Sequence, residues 1–398
     1  MKKILVSGAS IAGPTLAYWL HKYGFDVTLV ERSPELRLGG QNIDVKGPAL
    51  EVIRKMGLEE QIRAANTTEI GIRFVNVENE VIGEFPVESP LSMTQELEIL
   101  RGDLVQILYK HTKDNVKYIF GDYITALNQH TDNISVTFSS GKTEDFDLAI
   151  SAEGIGSQTR KLAFGDEIKF KYLGIYTAYL TIKKTNTDSR WARWCNTAGG
   201  IVFVLRPDNY GKTRASVTFL SPEMGYEKLS DDEKKNILIK KIKNVGWEAE
   251  RLVKEIQDSE DLYFERVSQV KAPKWSNGRV CLTGDAAYCA TPIAGKGVDL
   301  SVSGAYILAG ELFKTNDHKQ AFQNYENRMR PYVESSQKLP PGVPRIVYPT
   351  SKVGVAILNG FFSFFGSKPV KNIMTVFSGK KKEPKQEIEL PDYEGQLN

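Results

Sequence analysis

Residues 3–31, KILVSGASIAGPTLAYWLHKYGFDVTLVE, decide the fold of this chain. Lys3–Ser7 is a short apolar run, which is typical of a buried strand. The glycine-bearing turn Gly8–Gly13 follows it, and Pro14–Tyr23 then has apolar residues at helical spacing. A second apolar run, Asp26–Val30, is again typical of a strand. The stretch therefore predicts the strand–turn–helix–strand unit that begins many parallel α/β folds.

The turn of this unit has the residue types that bind the diphosphate of a dinucleotide. Gly8 permits a tight turn, and Gly13 lets the helix lie close to the strand. The helix N-terminus presents free N–H groups to a pyrophosphate, and Glu31, about twenty residues on, can accept ribose hydroxyls. Ser10 replaces the usual middle glycine, which restricts the backbone approach but adds a hydroxyl donor. We therefore predict an ADP-containing cofactor, the alternative being a glycine-rich turn that binds nothing.

Length, charge and cysteine content limit the classes of protein. With 398 residues, the chain has room for two or three domains. Its net charge of +3 is too small to indicate nucleic-acid binding. No apolar run approaches the roughly 20 residues of a spanning helix, and we expect no signal peptide, because Met1-Lys2-Lys3 leads directly into the first strand. The three cysteines lack C-x-x-C spacing, which argues against a redox disulfide or a zinc site. We expect a cytoplasmic monomer without a metal site.

Two more strand-to-helix junctions carry acids and glycines. In residues 147–160, DLAISAEGIGSQTR, a strand ends in an acid and two glycines before a helix begins. This layout places backbone N–H groups and Arg160 near an anion, unless it is a plain strand-to-helix turn. In residues 279–313 a strand ends at Gly284–Asp285, a loop follows, and a helix starts at Gly297. Neither junction forms a second dinucleotide fingerprint, since Gly154-Ile155-Gly156 lacks a third glycine, so we predict one stably held cofactor.

Other segments predict further parts of the site. Arg101 stands where an apolar strand meets a helix start, so it is either a phosphate or flavin contact or a surface arginine beside a helix cap. Residues 169–220 have no glycine-rich turn–helix units, which predicts a mostly antiparallel sheet that walls off a pocket. Its candidates for substrate contact are Trp194, Phe203 and Arg206. Because alternation turns only about half of a strand toward the pocket, a structural role stays open for each of them.

Taken in order, the three motifs resemble those of the single-component FAD-dependent aromatic hydroxylases of the p-hydroxybenzoate hydroxylase type. The resemblance covers residues 3–331. Within that family, the segments GGQNIDVKG at 39–47, EILRGDL at 98–104 and GAYILAGEL at 304–312 are most similar to the tetracycline-inactivating flavin monooxygenases. An extra C-terminal helix adds to this likeness.

This resemblance implies FAD bound non-covalently, with NADPH or NADH as the transient electron donor. It also implies that O₂ reacts with the reduced flavin and that a C4a-hydroperoxide hydroxylates an aromatic or enolic small molecule. No catalytic side chain is then required. Arg37 is also a candidate for the phosphate of the nicotinamide cofactor. The FAD contacts implied by the resemblance are Gly8, Ser10, Ala12, Gly13, Glu31, Arg32, Arg37, Gly40, Asp44, Arg101, Asp285, Pro292, Gly295, Gly297 and Val298.

The same resemblance implies an α/β fold in which two domains interleave. One is a Rossmann-like, glutathione-reductase-like FAD-binding domain, and the other is a mostly antiparallel substrate domain. We expect the C-terminal helix to pack on the protein rather than on a membrane, and the tail after it to be frayed. The expected bounds are 1–72, 96–168 and 270–330 for FAD binding, 73–95 and 169–269 for substrate binding, 331–378 for the C-terminal helical segment and 379–398 for the polar tail.

Three residues depart from the family pattern. Glu153 replaces Asp, Lys296 replaces Gln or Leu, and Asp299 replaces Asn. Lys296 either faces the flavin and stabilises negative charge on the reduced ring, or pairs with Asp299 one helical turn on. We favour the pair, because lysines are mostly exposed.

Two other functions stay open on the sequence alone. One is a flavin-dependent reductase or dehydrogenase that inserts no oxygen, and the other is a non-catalytic flavin-binding redox sensor. A monooxygenase differs from the first by a product that gains oxygen, and from the second by useful rates of flavin reduction.

Overall fold

The computed structural model describes residues 1–89, 92, 97–366, 388–393 and 395. In this part of the chain the backbone forms eighteen strands and eleven α-helices. The strands are β1 (Lys3–Ser7), β2 (Asp26–Glu31), β3 (Asn42–Asp44), β4 (Gly71–Val75), β5 (Val81–Pro86), β6 (Glu98–Leu100), β7 (Lys117–Phe120), β8 (Ile124–Gln129), β9 (Ile134–Phe138), β10 (Thr143–Phe146), β11 (Leu148–Ser151), β12 (Lys169–Lys183), β13 (Ala192–Thr197), β14 (Ile201–Pro207), β15 (Lys212–Leu220), β16 (Tyr263–Lys271), β17 (Ser276–Asn277) and β18 (Val280–Leu282). The helices are α1 (Ala12–Lys22), α2 (Gly47–Lys55), α3 (Glu59–Ala64), α4 (Arg101–Thr112), α5 (Gln158–Phe164), α6 (Asp231–Ile242), α7 (Ala249–Asp258), α8 (Asp285–Tyr288), α9 (Gly297–Lys314), α10 (His318–Ser336) and α11 (Lys352–Gly366).

A six-stranded sheet has the strand order β17-β18-β11-β1-β2-β7. Its pairs β18–β11, β11–β1, β1–β2 and β2–β7 are parallel, and only the short β17 is antiparallel to its neighbour. Because neighbouring parallel strands end at the same edge of a sheet, the segments that follow β18, β11, β1 and β2 lie side by side. The predicted Rossmann-like α/β architecture is confirmed.

The central helix of this half is α9, which packs against α1, α2 and α10. Every residue from Val298 to Leu312 is buried. Trp19 of α1 is fully buried, and its ring meets that of Tyr306 edge-on with centroids 4.8 Å apart. Burying an aromatic side chain of this kind contributes on the order of 2–3 kcal/mol. The apolar spacing at Leu16, Trp19 and Leu20 is therefore the face that holds α1 against the sheet and α9.

A seven-stranded sheet has the order β16-β12-β15-β14-β13-β4-β5, and all of its pairs are antiparallel except β13–β4. One face, called here the helix-covered face, buries Phe203 and Phe219 under α6 and α7. The other, called the inner face, carries Val202 and Val267, and Ile293 from the loop before α9 packs on it. The predicted antiparallel sheet is confirmed. Besides the strands of residues 169–220, the sheet contains β4, β5 and β16.

The last helix, α11, packs on β4 and β5 through one of its sides. Phe362 stacks on Phe74 with ring centroids 3.5 Å apart, and Phe365 belongs to the same apolar cluster. The opposite side of the helix exposes Val353 and Ile357. The expectation that this helix packs on the protein is confirmed for the side that carries Phe362.

The expectation of a frayed polar tail is wrong for residues 388–393. Tyr393 is fully buried, its ring lies against Gly310 of α9, and its hydroxyl donates a hydrogen bond to Glu311 at 2.7 Å. A single buried aromatic residue in a charged segment has no periodicity, so the sequence carried no signal for this contact. Residues 379–387 lie outside the described part of the chain.

Across the described residues, no helix is both long enough and apolar enough to cross a membrane. The three cysteines, Cys195, Cys281 and Cys289, are buried and form no disulfide. The described side chains contain no cluster of His, Cys, Asp and Glu that could hold a metal ion.

Candidate cofactor and substrate site

Three loops meet at the carboxyl edge of the six-stranded sheet. A Cβ atom at Gly8, after β1, would lie 2.6 Å from the carbonyl oxygen of Ala152, after β11. A Cβ atom at Gly284, after β18, would lie 3.1 Å from the Cβ of Ala12 and 3.3 Å from the Oγ of Ser301. The start of α9 is one helical turn before Ser301. The three sequence motifs therefore lie against one another, and the surface that they border together is called the groove here.

The first loop is a tight turn that only glycine allows. Gly8 has a φ of +108°, a conformation that residues with side chains rarely adopt. A Cβ atom at Gly13 would lie 1.8 Å from the carbonyl oxygen of Gly8, so α1 can approach the turn only because residue 13 has no side chain. The cap residue Ile11 has no polar side chain to offer to α1. The first N–H groups of α1 are thus available to an anionic ligand.

Glu31 lies at the end of β2, beside this turn. Its carboxylate accepts hydrogen bonds from the N–H of Ala9 at 2.8 Å and from the N–H of Ser33 at 3.0 Å. These two hydrogen bonds fix the orientation of the carboxylate. Glu31 as a whole is only 9% exposed. Each carboxylate oxygen keeps a further lone pair, so the group can also accept hydrogen bonds from a ribose. The neighbouring Arg32 is exposed.

Arg101 joins the glycine-rich loop at 37–41 to the turn after β1. Its guanidinium donates hydrogen bonds to the Oγ of Ser10 at 2.9 Å, to the carbonyl oxygen of Arg37 at 2.9 Å and to that of Gly39 at 3.1 Å. A Cβ atom at Gly40, where φ is +132°, would lie 2.5 Å from the Nε of Arg101. Burial and the charge of Arg37 both lower the pKa of Arg101. An anion in the turn would relieve that repulsion, which fits a diphosphate.

Glu153, the acid of the second motif, forms hydrogen bonds to other residues of the protein. Its carboxylate accepts hydrogen bonds from the hydroxyls of Ser7, Ser157 and Thr159, and from the N–H of Thr159 at 2.9 Å. These donors belong to β1 and to the start of α5. Glu153 therefore joins β1 to the start of α5.

Arg160 does not face an anion site, contrary to the expectation from the sequence. It is 5% exposed, and its guanidinium donates hydrogen bonds to the carbonyl oxygens of Ala286, at 2.9 Å, and Ile155. Burial lowers its pKa, although Glu153 raises it. Arg160 therefore holds the second motif against the third, and its charge is satisfied by backbone.

A Glu153→Ala variant is expected to lower the free energy of unfolding by about 2–3 kcal/mol, because four hydrogen bonds lose their acceptor in a half-buried site. Chemical unfolding followed by circular dichroism measures this loss. Glu167→Ala, at an exposed glutamate just after α5, is the matched control and should change little. Equal losses for the two variants would contradict a special role for Glu153.

The third motif lies between the two large sheets. Asp285 is at the start of α8, and burial raises its pKa. The chain then passes through a short 3₁₀ turn at Pro292–Ala294 and the left-handed Gly295, with a φ of +59°. Ile293 of this turn packs on the inner face of the seven-stranded sheet. The segment that leads into α9 at Gly297 therefore faces both halves of the molecule.

Lys296 is paired with Asp299, the arrangement favoured from the sequence. The Nζ of Lys296 lies 3.5 Å from the carboxylate of Asp299, which is 2% exposed. That carboxylate also accepts hydrogen bonds from the hydroxyl of Tyr332 and from the N–H of Ala49 at 3.1 Å. Asp299 therefore joins the start of α9 to the start of α2. Its burial raises its pKa, although these partners lower it.

The substrate candidates of the seven-stranded sheet lie on different faces. Trp194 is on the inner face, where its Nε1 donates a hydrogen bond to Asn196 at 2.7 Å. Phe203 is on the helix-covered face, fully buried against Trp247 with ring centroids 5.9 Å apart. The prediction of Phe203 as a substrate contact is therefore wrong. Successive side chains alternate between faces, and its position in the strand turns it away from the groove.

Arg206 is on the inner face, but two carboxylates hold it. It forms ion pairs with Glu69 at 2.8 Å and with Glu98, whose side chains are 0% and 1% exposed. Burial raises the pKa of Glu98 to about 7, although Arg206 lowers it. Asp44 lies nearby, paired with Lys46 at 3.3 Å, and burial raises its pKa as well. This cluster joins β14 of the seven-stranded sheet to a small two-stranded sheet formed by β3 and β6, so the guanidinium serves the contact between these two sheets.

β16 was not predicted as a strand from the sequence, and neither were the side chains that it brings to the groove. Glu265 on this strand accepts a hydrogen bond from the hydroxyl of Tyr263 at 2.9 Å. The apolar residues Phe264, Val267 and Val270 of this strand are spaced by three rather than two, so strict alternation gave no signal for it.

Comparisons with known proteins agree with this geometry. A family model described as an FAD binding domain matches residues 1–337. A flavin-dependent monooxygenase of Legionella longbeachae is 37% identical over 339 residues, covering 84% of this chain and 87% of that protein. Another, from an unknown prokaryotic organism, is 34% identical over 396 residues, covering 98% and 99%. The crystal structure of tetracycline destructase Tet(55) is similar with a TM-score of 0.80, at 33% identity and over 99% of both chains.

The fold and the groove define an FAD-binding protein of the aromatic hydroxylase type, and this chain belongs to the FAD-binding family that matches residues 1–337. Within that family it is an FAD-dependent monooxygenase, as its motifs predicted. These relatives lend no support to the reductase and sensor alternatives.

Proposed function

We propose that this monooxygenase takes electrons from NADPH, or NADH, and inserts one atom of O₂ into a phenolic or enolic small molecule of the tetracycline type. The observation that carries the substrate class is the likeness to the tetracycline destructase Tet(55) over 99% of both chains. That likeness continues beyond residue 337, where the family match ends, into the region of α11.

We propose that FAD lies along the groove at the carboxyl edge of the six-stranded sheet. The turn at Gly8–Gly13 and Arg101 would hold its diphosphate, and Glu31 its ribose. Asp285 would hold the ribityl chain, and the segment Gly295–Val298 the flavin ring. Bound FAD supplies hydride acceptance and oxygen activation. The remaining implied contacts would come from the segment between β2 and β3 (Arg32, Arg37 and Gly40), from the end of β3 (Asp44) and from the short turn before α9 (Pro292).

The inner face of the seven-stranded sheet would hold the substrate. Trp194 is partly exposed and offers apolar surface for a flat ring system, and Thr218 offers a hydroxyl group from the same face. The loop at 292–295 borders one side of this surface, and α11 packs on the outer strands of the same sheet. Covering the substrate in this way excludes water from the oxygen transfer.

We also propose that the chain has two halves. The FAD-binding half is built on the six-stranded sheet, and the substrate-binding half is built on the seven-stranded sheet. The exposed Arg37 would bind the phosphate of the nicotinamide cofactor. We also propose a cytoplasmic monomer. The three free cysteines fit a reducing compartment.

The test combines FAD-loaded protein with NADPH and a tetracycline under air. We expect tetracycline to speed NADPH oxidation by about tenfold or more and a product that is heavier by one oxygen atom, seen by mass spectrometry. Simple phenols in place of tetracycline test the breadth of the substrate class, and NADH tests the electron donor. NADPH oxidation that yields only hydrogen peroxide, with tetracycline unchanged, would contradict the proposed substrate.

A further inference from the structure

Glu265 is a carboxyl group on β16 that the proposed reaction does not use. β16 is an edge strand of the seven-stranded sheet, and α8, which starts at Asp285, packs against it. Phe264 belongs to the helix-covered face and Val267 to the inner face, so alternation places Glu265 on the inner face. Glu265 therefore lies near Asp285, the carboxyl group of the third motif.

The groups that face Glu265 come from three elements. Tyr263 is on the same strand, Tyr179 is on β12, and Asp285 and Cys289 belong to α8 and the residue that follows it. The rings of Tyr179 and Tyr263 stack with centroids 6.3 Å apart. None of these four side chains can carry a positive charge, so within the described part of the chain an ionised Glu265 would lie near Asp285 without a counter-ion. Burial and the charge of Asp285 raise the pKa of Glu265 to about 7, although the hydrogen bond from Tyr263 lowers it.

Arg37 and Arg101 lie near Tyr263, the hydrogen-bond partner of Glu265. Tyr263 lies within electrostatic reach of Arg37 and Arg101 as well as of Asp285. Arg101 in turn contacts Ser10 in the turn after β1. Tyr263 therefore lies near both these arginines and Asp285, and Glu265 is hydrogen-bonded to it.

We propose that Glu265 is a further FAD-binding residue, which donates a hydrogen bond to the ribityl–diphosphate part of FAD when protonated and repels it when ionised. Binding of FAD to the ionised protein then takes up one proton, and the affinity for FAD falls as the pH rises. This inference rests on the placement of FAD proposed above and is independent of the proposed substrate and of NADPH.

The test measures the Kd of the full-length apoprotein for FAD by flavin fluorescence across the pH range. We expect the wild type to bind FAD roughly tenfold less tightly at about pH 8 than at about pH 6.5, with uptake of about one proton per FAD at the higher pH. Glu265→Gln keeps a hydrogen-bond donor and cannot ionise, so its affinity should stay tight at both values. Glu260→Gln, at an exposed glutamate just before β16, is the matched control and should keep the wild-type pH dependence.

A Glu265→Gln variant with the wild-type pH dependence would overturn the proposal and assign the titration to Asp285 or another group. Tyr263→Phe gives an independent measurement. It removes the hydrogen bond that stabilises ionised Glu265, so the midpoint of the affinity curve should move to higher pH, and an unchanged midpoint would contradict the proposal. A protein that shows this FAD binding but leaves tetracycline unchanged would refute the proposed substrate alone.

Discussion

A Gly13→Ala variant is expected to bind FAD at least about a hundredfold more weakly than the wild type, a loss of about 2.7 kcal/mol. The added Cβ atom would lie 1.8 Å from the carbonyl oxygen of Gly8, which is backbone and cannot rotate away. α1 must then move off the turn, and its first N–H groups move away from the proposed diphosphate position. Titration of the apoprotein with FAD, followed by fluorescence, measures the loss.

The matched control is Gly156→Ala in the second motif. A Cβ atom there meets nothing within 4 Å, so the same chemical change should leave FAD affinity close to that of the wild type. Thermal unfolding of both apoproteins separates a local shift of α1 from general unfolding. Wild-type affinity in Gly13→Ala would contradict the placement of FAD at this turn.

An Arg206→Met variant is expected to lower the free energy of unfolding by about 3–5 kcal/mol at about pH 8. The change leaves Glu69 and Glu98 buried side by side without their shared cation. Urea unfolding measures the loss. Arg54→Met is the control, because its ion pair with Glu59 is at the surface and its side chain is 55% exposed. That variant should lose no more than about 1 kcal/mol.

The loss in Arg206→Met should shrink as the pH falls toward about 5. Burial already raises the pKa of Glu98 to about 7 with Arg206 present, and removal of the cation raises it further. A carboxyl group whose pKa is higher in the folded than in the unfolded protein stabilises the fold most at low pH. That stability is lost as the pH rises toward the folded pKa. A loss that does not vary with pH would show that lost packing, rather than unpaired charge, causes the destabilisation.

The sequence allowed the first turn to be placed residue by residue. Gly8, Gly13 and Glu31 occupy the positions in the structure that the spacing predicts, because a strand, a tight turn and a helix constrain one another within some thirty residues. The antiparallel sheet and α11 were also predictable, since alternation and helical spacing are local properties of the chain. The substrate side was not predictable at the same level. Phe203 and Arg206 are suitable residue types, but one is turned to α6 and α7 and the other is bound by two carboxylates.

By itself, then, the sequence determined the nucleotide-binding turn, the order of the three motifs and the family. These depend on glycine geometry and on short-range spacing, which act within a few residues of each other. Only the tertiary structure decided that Arg160 and Glu153 hold the motifs together, that Tyr393 packs on α9, and that α8 packs on β16 and brings Asp285 near Glu265. Each of these contacts joins residues from different elements. The partner of such a side chain depends on strand order, on register and on the face of the sheet or helix that carries the side chain. None of these can be inferred from the neighbouring residues in the sequence.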